Sequence, residues 1–461
     1  MPGFFISKFY CCMLFIQALI IYPNWCLMIN IEELRSAELK IFFYIFLTAA
    51  MIPHIAFARS DVCQHFTAAE SCQSLLPLLE QSQQKLTLLD RVFADSQSYK
   101  LQIIFTRIES PMIEGELPKL HYYHYGVQPD RYFYPASTVK LPLVALAMQW
   151  LNEQTAAGIT LDTIMLTDAL HPSQSSAYTD VTSESGLPSV GHYIKKILLV
   201  SDNDSSNRLY ELLGQQYINQ QLQAKGLTST VINHRLSVPF TDDDNRFFNP
   251  IRFIDPIGKT LLAIPQRQVA VSYRNTDQPK LGLGYFQHGQ LVNQPMDFTL
   301  KNRQSLLDLD GVVKRLVMPE LFPEEQRFNI TEPQRQFILR YMRMLPRQSE
   351  YPKYSEEQYT DTYVKYLLKS DDQLRLPEYI HYHNKNGQAY GHVIDAAFIN
   401  DTKYDVSYFL SAIIYTNANQ ILNDDIYETE TLGQPFLREL GHLLYQQELD
   451  AQQATNDTNN K

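Results

Sequence analysis

The sequence predicts an α/β fold: a mainly antiparallel sheet closed by the two ends of the chain, with an all-helical lobe inserted between them. Three observations predict it. β-rich runs lie near both ends, helical periodicities fill the stretch between, and a last helical pattern closes the chain. The 461 residues, 45% of them apolar, suffice to fill one large core or two ordinary ones.

The elements follow in order. Runs at 101–108 and 120–125, separated by the turn-like GELPK, read as a hairpin. A helix is expected over about 138–152, and Pro142 in its first turns fits only if the helix proper begins nearer Leu141. Helical patterns recur at 190–200, 205–213 and 218–225, then at about 304–317, 332–344 and 356–369. The strands YIHYHN, VIDAAFIN and VSYFLSAIIYTN come next, followed by a helix over about 434–449. No internal repeat is evident. The domain expected from this pattern spans 59–450, with a helical insertion at about 258–378 and a Gln/Asn/Asp-rich disordered tail over 451–461.

Three short motifs carry the chemistry. In RYFYPASTVKLPL, Ser137 and Lys140 are spaced to share one helix face. A serine hydroxyl needs a base, and a desolvated lysine is neutral often enough to be one. The blander reading is a helix N-cap followed by a solvated lysine. Ser201-Asp202-Asn203 stands between two helical patterns, where Ser201 could shuttle a proton and Asn203 could hold a carbonyl or the lysine. Here the blander reading is an Asx/Ser cap. Lys385-Asn386-Gly387 lies between two β-rich runs. Lys385 offers charge for a substrate carboxylate, Gly387 allows close backbone approach, and Gln388 offers an N–H that with that of Ser137 would form an oxyanion hole. Lys280-Leu281-Gly282 is a second Lys-x-Gly, but helical patterns rather than strands follow it.

In this order the three motifs resemble the penicillin-recognising serine enzymes, the class A β-lactamases and the related D-alanyl-D-alanine peptidases, with S-x-x-K, S-D-N and K-x-G. Phe133, Thr138, Asn207, Leu209 and Gly214 extend the likeness, and Ser137 and Ser201 stand 64 residues apart, as suits that family. The resemblance implies a five-stranded sheet flanked by helices beside a helical lobe, with the site between. It implies Ser137 as the acylated nucleophile, Lys140 as its base and Ser201 as donor to the leaving nitrogen. Asn203 would orient the substrate amide and Lys385 anchor its carboxylate.

The sequence departs from that pattern in three places. It has no glutamate between Glu211 and Glu320, where class A enzymes carry the group that activates the deacylating water. Taking Asn249 as the loop asparagine, the family's E-x-x-x-N spacing falls on Asn245, leaving Asp242, Asp243 and Asp244 as the carboxylates at hand. Asn386 replaces the family's Thr or Ser, and Ser201 and Lys385 are 184 residues apart, far more than the family needs.

The rest bounds location and partners. Residues 40–58 read as a secretory signal cut after Ala58, with 1–58 removed or membrane-associated and the domain exported to the periplasm or beyond. A further apolar stretch over about 9–31 is read as an extension upstream of a start at Met28, with a membrane hairpin as the alternative. Only Cys63 and Cys72 follow the cut, an even number that reads as a disulfide, with two free thiols as the alternative. The net charge of −11 argues against a nucleic-acid partner. His121-x-x-His124 and His381-Tyr382-His383 lack a third ligand, so no metal or other cofactor is expected. The expected activity is β-lactam hydrolysis through an acyl-serine by a monomer. A peptidase or esterase acting on cell-wall peptides, and a sensor module acylated once or never, are the competing readings.

Overall fold

The computed structural model describes residues 61–80, 87–109, 116–368 and 375–459, so the apolar stretches and cleavage point expected before residue 59 lie outside it. Six strands make the central sheet: β1 (Ala69–Ser74), β2 (Gln102–Ile108), β3 (Leu120–Tyr125), β4 (Ile380–Ala389), β5 (His392–Asp401) and β6 (Val406–Tyr415). Their order is β1-β3-β2-β6-β5-β4. The five strands from β3 to β4 are antiparallel throughout, as the expected sheet requires. The sixth, β1, is an addition, pairing parallel to β3 at the far edge. A Cys63–Cys72 disulfide, with Cα atoms 5.9 Å apart, ties the segment before β1 to the strand itself.

Both faces of the sheet are covered, and side-chain alternation sorts them. Ile394, Ala396 and Phe398 of β5 face the helical lobe. Val393, Ala397 and Ile399 face the closing helix. The lobe holds α1 (Lys140–Glu153), α2 (Val190–Val200), α3 (Asn203–Leu213), α4 (Gln215–Ala224), α5 (Leu306–Val317) and α6 (Glu332–Arg343). Helix α1 is apolar nearly all round and buried from Lys140 to Gln149, which marks a core helix. A 3-10 turn, Ala136–Val139, precedes it. Pro142 therefore falls in the first turn of α1, where its missing N–H has no intrahelical partner to lose. The closing helix α7 (Gln434–Asn459) covers the opposite face with Phe436, Leu437, Leu440 and Leu444.

Three expectations are corrected. The stretch from 258 to 305 is not helical: Thr260–Ile264 pairs with Ile251–Ile254, and Gly284–Gln287 pairs with Gln290–Val292. Pro265, Pro279, Gly282, Gly284 and Pro295 punctuate it too often for a helix. The described part of 356–369 forms turns rather than a helix. Its periodic tyrosines are instead engaged with one another and with the sheet: the ring centroids of Tyr354 and Tyr359, and of Tyr359 and Tyr363, lie 4.9 Å apart. The tail expected to be disordered continues α7 as far as Asn459, its first residues Ala451, Gln452, Gln453 and Ala454 being good helix formers on an already anchored helix.

The turns at 361–368 bind the insertion to the sheet. Buried Lys365 donates to Tyr382 O (2.8 Å), Met342 O (3.0 Å) and Asn384 Oδ1 (2.9 Å). Tyr366 N donates to Asp395 Oδ2 (2.9 Å), and Leu367 N to Tyr382 Oη (3.0 Å). From the other side α7 presses so close that a Cβ at Gly441 would overlap the Leu367 carbonyl.

Candidate active site

The nucleophile candidate sits on a strained turn. Ala136 has φ +49°, a left-handed conformation unusual for a residue with a Cβ, and half-buried Ser137 follows it into the 3-10 turn. Thr138 Oγ1 pins this turn, lying 2.7 Å from Pro135 O and 2.9 Å from Gln304 Oε1. Strand β4 lies directly against it. A Cβ at Gly387 would come within 3.0 Å of both Pro135 O and Ser137 N, so only glycine lets the strand approach this closely.

Two lysines converge below that contact. Lys140 is fully buried, and its Nζ donates to Ser201 O (2.5 Å), Asn203 Oδ1 (2.6 Å) and Ser201 Oγ (3.3 Å). Burial pulls its pKa down to about 7, against the weaker opposing pull of the Asp202 carboxylate. Lys385, 2% exposed, reaches across from β4 and donates to Ser201 Oγ (2.8 Å), Asn386 O (2.8 Å) and Asn386 Oδ1 (3.2 Å). Its pKa is held well below the ordinary lysine value by burial first and by the charge of Lys140 next. Asp395 opposes the shift, and Lys365 adds to it.

The α2–α3 junction serves both readings of Ser-Asp-Asn at once. Asp202 is the N-cap of α3, accepting from Ser205 N at 2.7 Å. Ser201 closes α2 in the left-handed region, with φ +59°, and that twist sends it toward the lysines. The cap holds the junction, while its two neighbours supply the polar atoms.

The loop after the junction brings one residue that the sequence did not single out. Asn203 Nδ2 donates to Ser237 Oγ at 2.9 Å, and Ser237 is a third non-glycine residue with positive φ, +55°. Its position is fixed from behind: Leu236 N donates to Asn207 Oδ1 (2.8 Å), and Asn207 Nδ2 to Leu236 O (3.0 Å). Arg235 is held by Glu211 at 2.9 Å. Nothing in the local sequence distinguishes this serine, because a left-handed backbone at a serine leaves no mark in composition.

Asn245 and Asn249 are structural instead. Asn245 Oδ1 accepts from Arg235 N (2.9 Å), and Asn249 Nδ2 donates to Asp168 O (2.8 Å). Asp242 and Asp243 pair with Arg246, and Asp244 completes a capping box with Thr241. The ion pairs to Arg246 and the capping box therefore hold their own short helical turn.

The remaining expected residues are accounted for. Asn386 is buried beside Lys385, whereas Gln388 is exposed, its Oε1 accepting from Tyr366 Oη and Gln434 Nε2, each at 3.0 Å. His121 stands between Ser71 Oγ (2.9 Å) and Glu109 Oε2 (3.2 Å). His381 faces Arg343 at 3.1 Å, a cation where a metal's neighbour would be a further ligand. His383 packs near Phe398, and burial pushes its pKa down to about 3. Among the described residues Cys63, Cys72 and His124 bring ligand-type atoms within 4.8 Å of one another, but the disulfide occupies both sulfurs.

Residues 116–260 match the model of the β-lactamase enzyme family, a span that holds Ser137, Lys140, Ser201, Asn203 and Ser237. The resemblance read from the motifs is borne out there. No curated protein matches the chain. Among solved structures it is similar to a β-lactamase from Sphaerobacter thermophilus DSM 20745, at 13% identity and a TM-score of 0.41, covering 78% of this chain and 96% of that one. A β-lactamase from Burkholderia vietnamiensis gives 12% identity and a TM-score of 0.42, covering 79% and 98%. A mutant of PBP-A, in acyl-enzyme complex with penicillin G, gives 15% and 0.42, covering 78% and 96%.

Proposed function

From a chain whose residues 116–260 are of the β-lactamase-like serine hydrolase type, we propose an exported serine hydrolase that opens β-lactams by acylating Ser137 and releases the acyl group slowly. The observation that carries this reading is the single Ser201 hydroxyl held by two buried lysines, 3.3 Å from Lys140 Nζ and 2.8 Å from Lys385 Nζ.

In this reading neutral Lys140 takes the proton of Ser137 Oγ as that oxygen adds to the lactam carbonyl. The N–H groups of Ser137 and Gln388 receive the oxyanion. The C–N bond then breaks, Ser201 passes a proton to the leaving nitrogen, and Lys140 replenishes Ser201. Asn203 orients the substrate amide, while Lys385 and Asn386 hold its carboxylate. What remains is an ester on Ser137 and an amine within the opened drug.

Release needs a water and a base. The loop group beside Asn203 is the Ser237 hydroxyl, which has no basicity to offer at neutral pH, and this favours acylation over turnover. The same asymmetry favours a second reading, in which Ser137 is acylated by cell-wall peptides or stays acylated as a sensor. Export is supported by the Cys63–Cys72 bridge, which suits an oxidising compartment, and by the signal-like stretch ending at Ala58. Among the described residues no helix is long and apolar enough to cross a membrane.

Intact-mass analysis during incubation with a penicillin tests the proposal. A persistent adduct, lost in Ser137→Ala, is expected. A brief adduct with hydrolysed drug accumulating would mean efficient turnover, and no adduct would refute acylation by β-lactams.

A further inference from the structure

The turn that carries Ser137 is held from outside the three motifs by one buried carboxamide. Gln304 is 1% exposed and stands just before helix α5. Its backbone is fixed on both sides. Arg303 exchanges two backbone hydrogen bonds with Val231, of 2.8 and 2.9 Å. Asn302 Oδ1 accepts from Asn233 N (2.7 Å) and His234 N (3.1 Å), and Tyr132 Oη donates to Asn302 O (2.8 Å). Ser305 caps α5, accepting from Asp308 N at 3.1 Å. From this seat the Gln304 side chain reaches fully buried Thr138. The Thr138 hydroxyl has one proton and shares it between Pro135 O, 2.7 Å away, and Gln304 Oε1, 2.9 Å away. Pro135 O also accepts from Thr138 N at 3.1 Å, which closes the turn around Ala136 and Ser137.

Stability does not account for that carboxamide. Gln304 Nε2 is buried, and among the described residues nothing accepts from it. A buried donor left unmet is destabilising. Removing the amide would strand no other group, because the Thr138 proton keeps Pro135 O. A methionine of similar length would fill the space without that cost. What the amide adds is a second fixed point for the Thr138 hydroxyl, supplied from 166 residues away. We propose that Gln304 is a positioning residue for the nucleophile: through Thr138 it holds the left-handed turn at Ala136, and with it Ser137, against strand β4. The turn is then kept where β4 comes closest, since a Cβ at Gly387 would lie 3.0 Å from Ser137 N and 3.1 Å from Thr138 N. The inference rests on the acyl-transfer reading, because it gives Gln304 a part in the reactivity of Ser137.

The test uses the full chain and two readouts. Native-state hydrogen exchange at the residue 138 amide reports on the turn whether or not any substrate reacts. Acylation by a chromogenic cephalosporin is resolved by stopped flow into a limiting rate and a half-saturating concentration. Gln304→Met should leave the urea midpoint unchanged or higher. It should speed exchange at residue 138 and lower the limiting acylation rate, each about tenfold, the upper end of what one neutral hydrogen bond contributes. Half-saturation should not move. Thr138→Val should do at least as much, and Gln304→Met added to it should change nothing further, because both remove one interaction. Exchange at residue 138 within twofold of wild type in Gln304→Met overturns the proposal, as does faster exchange with unchanged acylation. So do additive effects in the double variant, or faster exchange throughout α1 with a lower urea midpoint, which marks general damage. A wild-type chain that takes no cephalosporin adduct would refute acylation by β-lactams, and exchange in the variants would still decide whether Gln304 holds the turn.

Discussion

Lys140 and Lys385 meet at one oxygen: Ser201 Oγ lies 3.3 Å from the first Nζ and 2.8 Å from the second. Two ammonium groups crowded on one hydroxyl repel each other, and burial removes the water that would screen them. The arrangement is stable only if one of the two is largely neutral, and burial lowers both pKa values, that of Lys140 to about 7.

The acylation rate should therefore rise with pH through about 7 as Lys140 loses its proton. Stopped-flow acylation by a chromogenic β-lactam between pH 5 and 9 checks it. The same profile in Lys140→Ala should be flat and lower by about 10² to 10⁴, the usual worth of a general base. A wild-type rate independent of pH over that range contradicts the assignment.

Ser237→Glu should convert slow release into turnover. The new carboxylate would stand beside Asn203 on a backbone already left-handed, so the exchange adds no new class of strain. The half-life of the Ser137 adduct, chased by mass after removal of free drug, is expected to fall at least about tenfold. Acylation itself should change little. An unchanged half-life would show that water is positioned elsewhere.

Gly387→Ala should hurt both stability and chemistry. The added Cβ would stand 3.0 Å from Pro135 O and Ser137 N, tighter than ordinary contact, so the backbone around Ser137 would have to give by a few tenths of an ångström. A loss of about 1–3 kcal/mol in urea unfolding is expected, the range for overpacking. Acylation should fall about a hundredfold, because displacements of the order of 1 Å at a nucleophile carry that cost. An acylation rate within twofold of wild type would mean that β4 yields without disturbing Ser137.

The disulfide should matter to stability alone. Cys63 and Cys72 close a loop of sequence separation 9, and Cys63→Ser with Cys72→Ser is expected to cost about 2–3 kcal/mol on chain-entropy grounds. Neither cysteine touches the site residues, so acylation at low temperature should stay within twofold. A loss of acylation without a loss of stability would tie β1 to the chemistry.

The motifs were legible because their chemistry depends on short spacings. Ser137 and Lys140 need only one helical turn, and Ser201 and Asn203 need only the cap formed by Asp202 between two amphipathic helices. Strands β4 to β6 declared themselves through long β-rich runs, and β5 and β6 are buried on both faces. Illegible were contacts made by residues far apart in the chain. The periodic spacing of Tyr359, Tyr363 and Tyr366 imitates a helix, yet those rings serve the sheet and one another. Ser237 reaches Asn203 through a left-handed backbone that Asn207 enforces from another element. Buried Lys365 is held by Met342 O, Tyr382 O and Asn384 Oδ1, partners 17 to 23 residues away that no short motif announces.

The overlap that forbids any side chain at Gly441 also makes helix α7 the backing of the 361–368 turns. The helix also holds the same turns through its first residue, where Gln434 Nε2 donates to the Gln388 oxygen that accepts from Tyr366 Oη. A nascent or truncated polypeptide can carry every catalytic side chain and still lack a backed seat for Tyr366. Order in those turns therefore depends on a helix that carries none of the candidate catalytic residues.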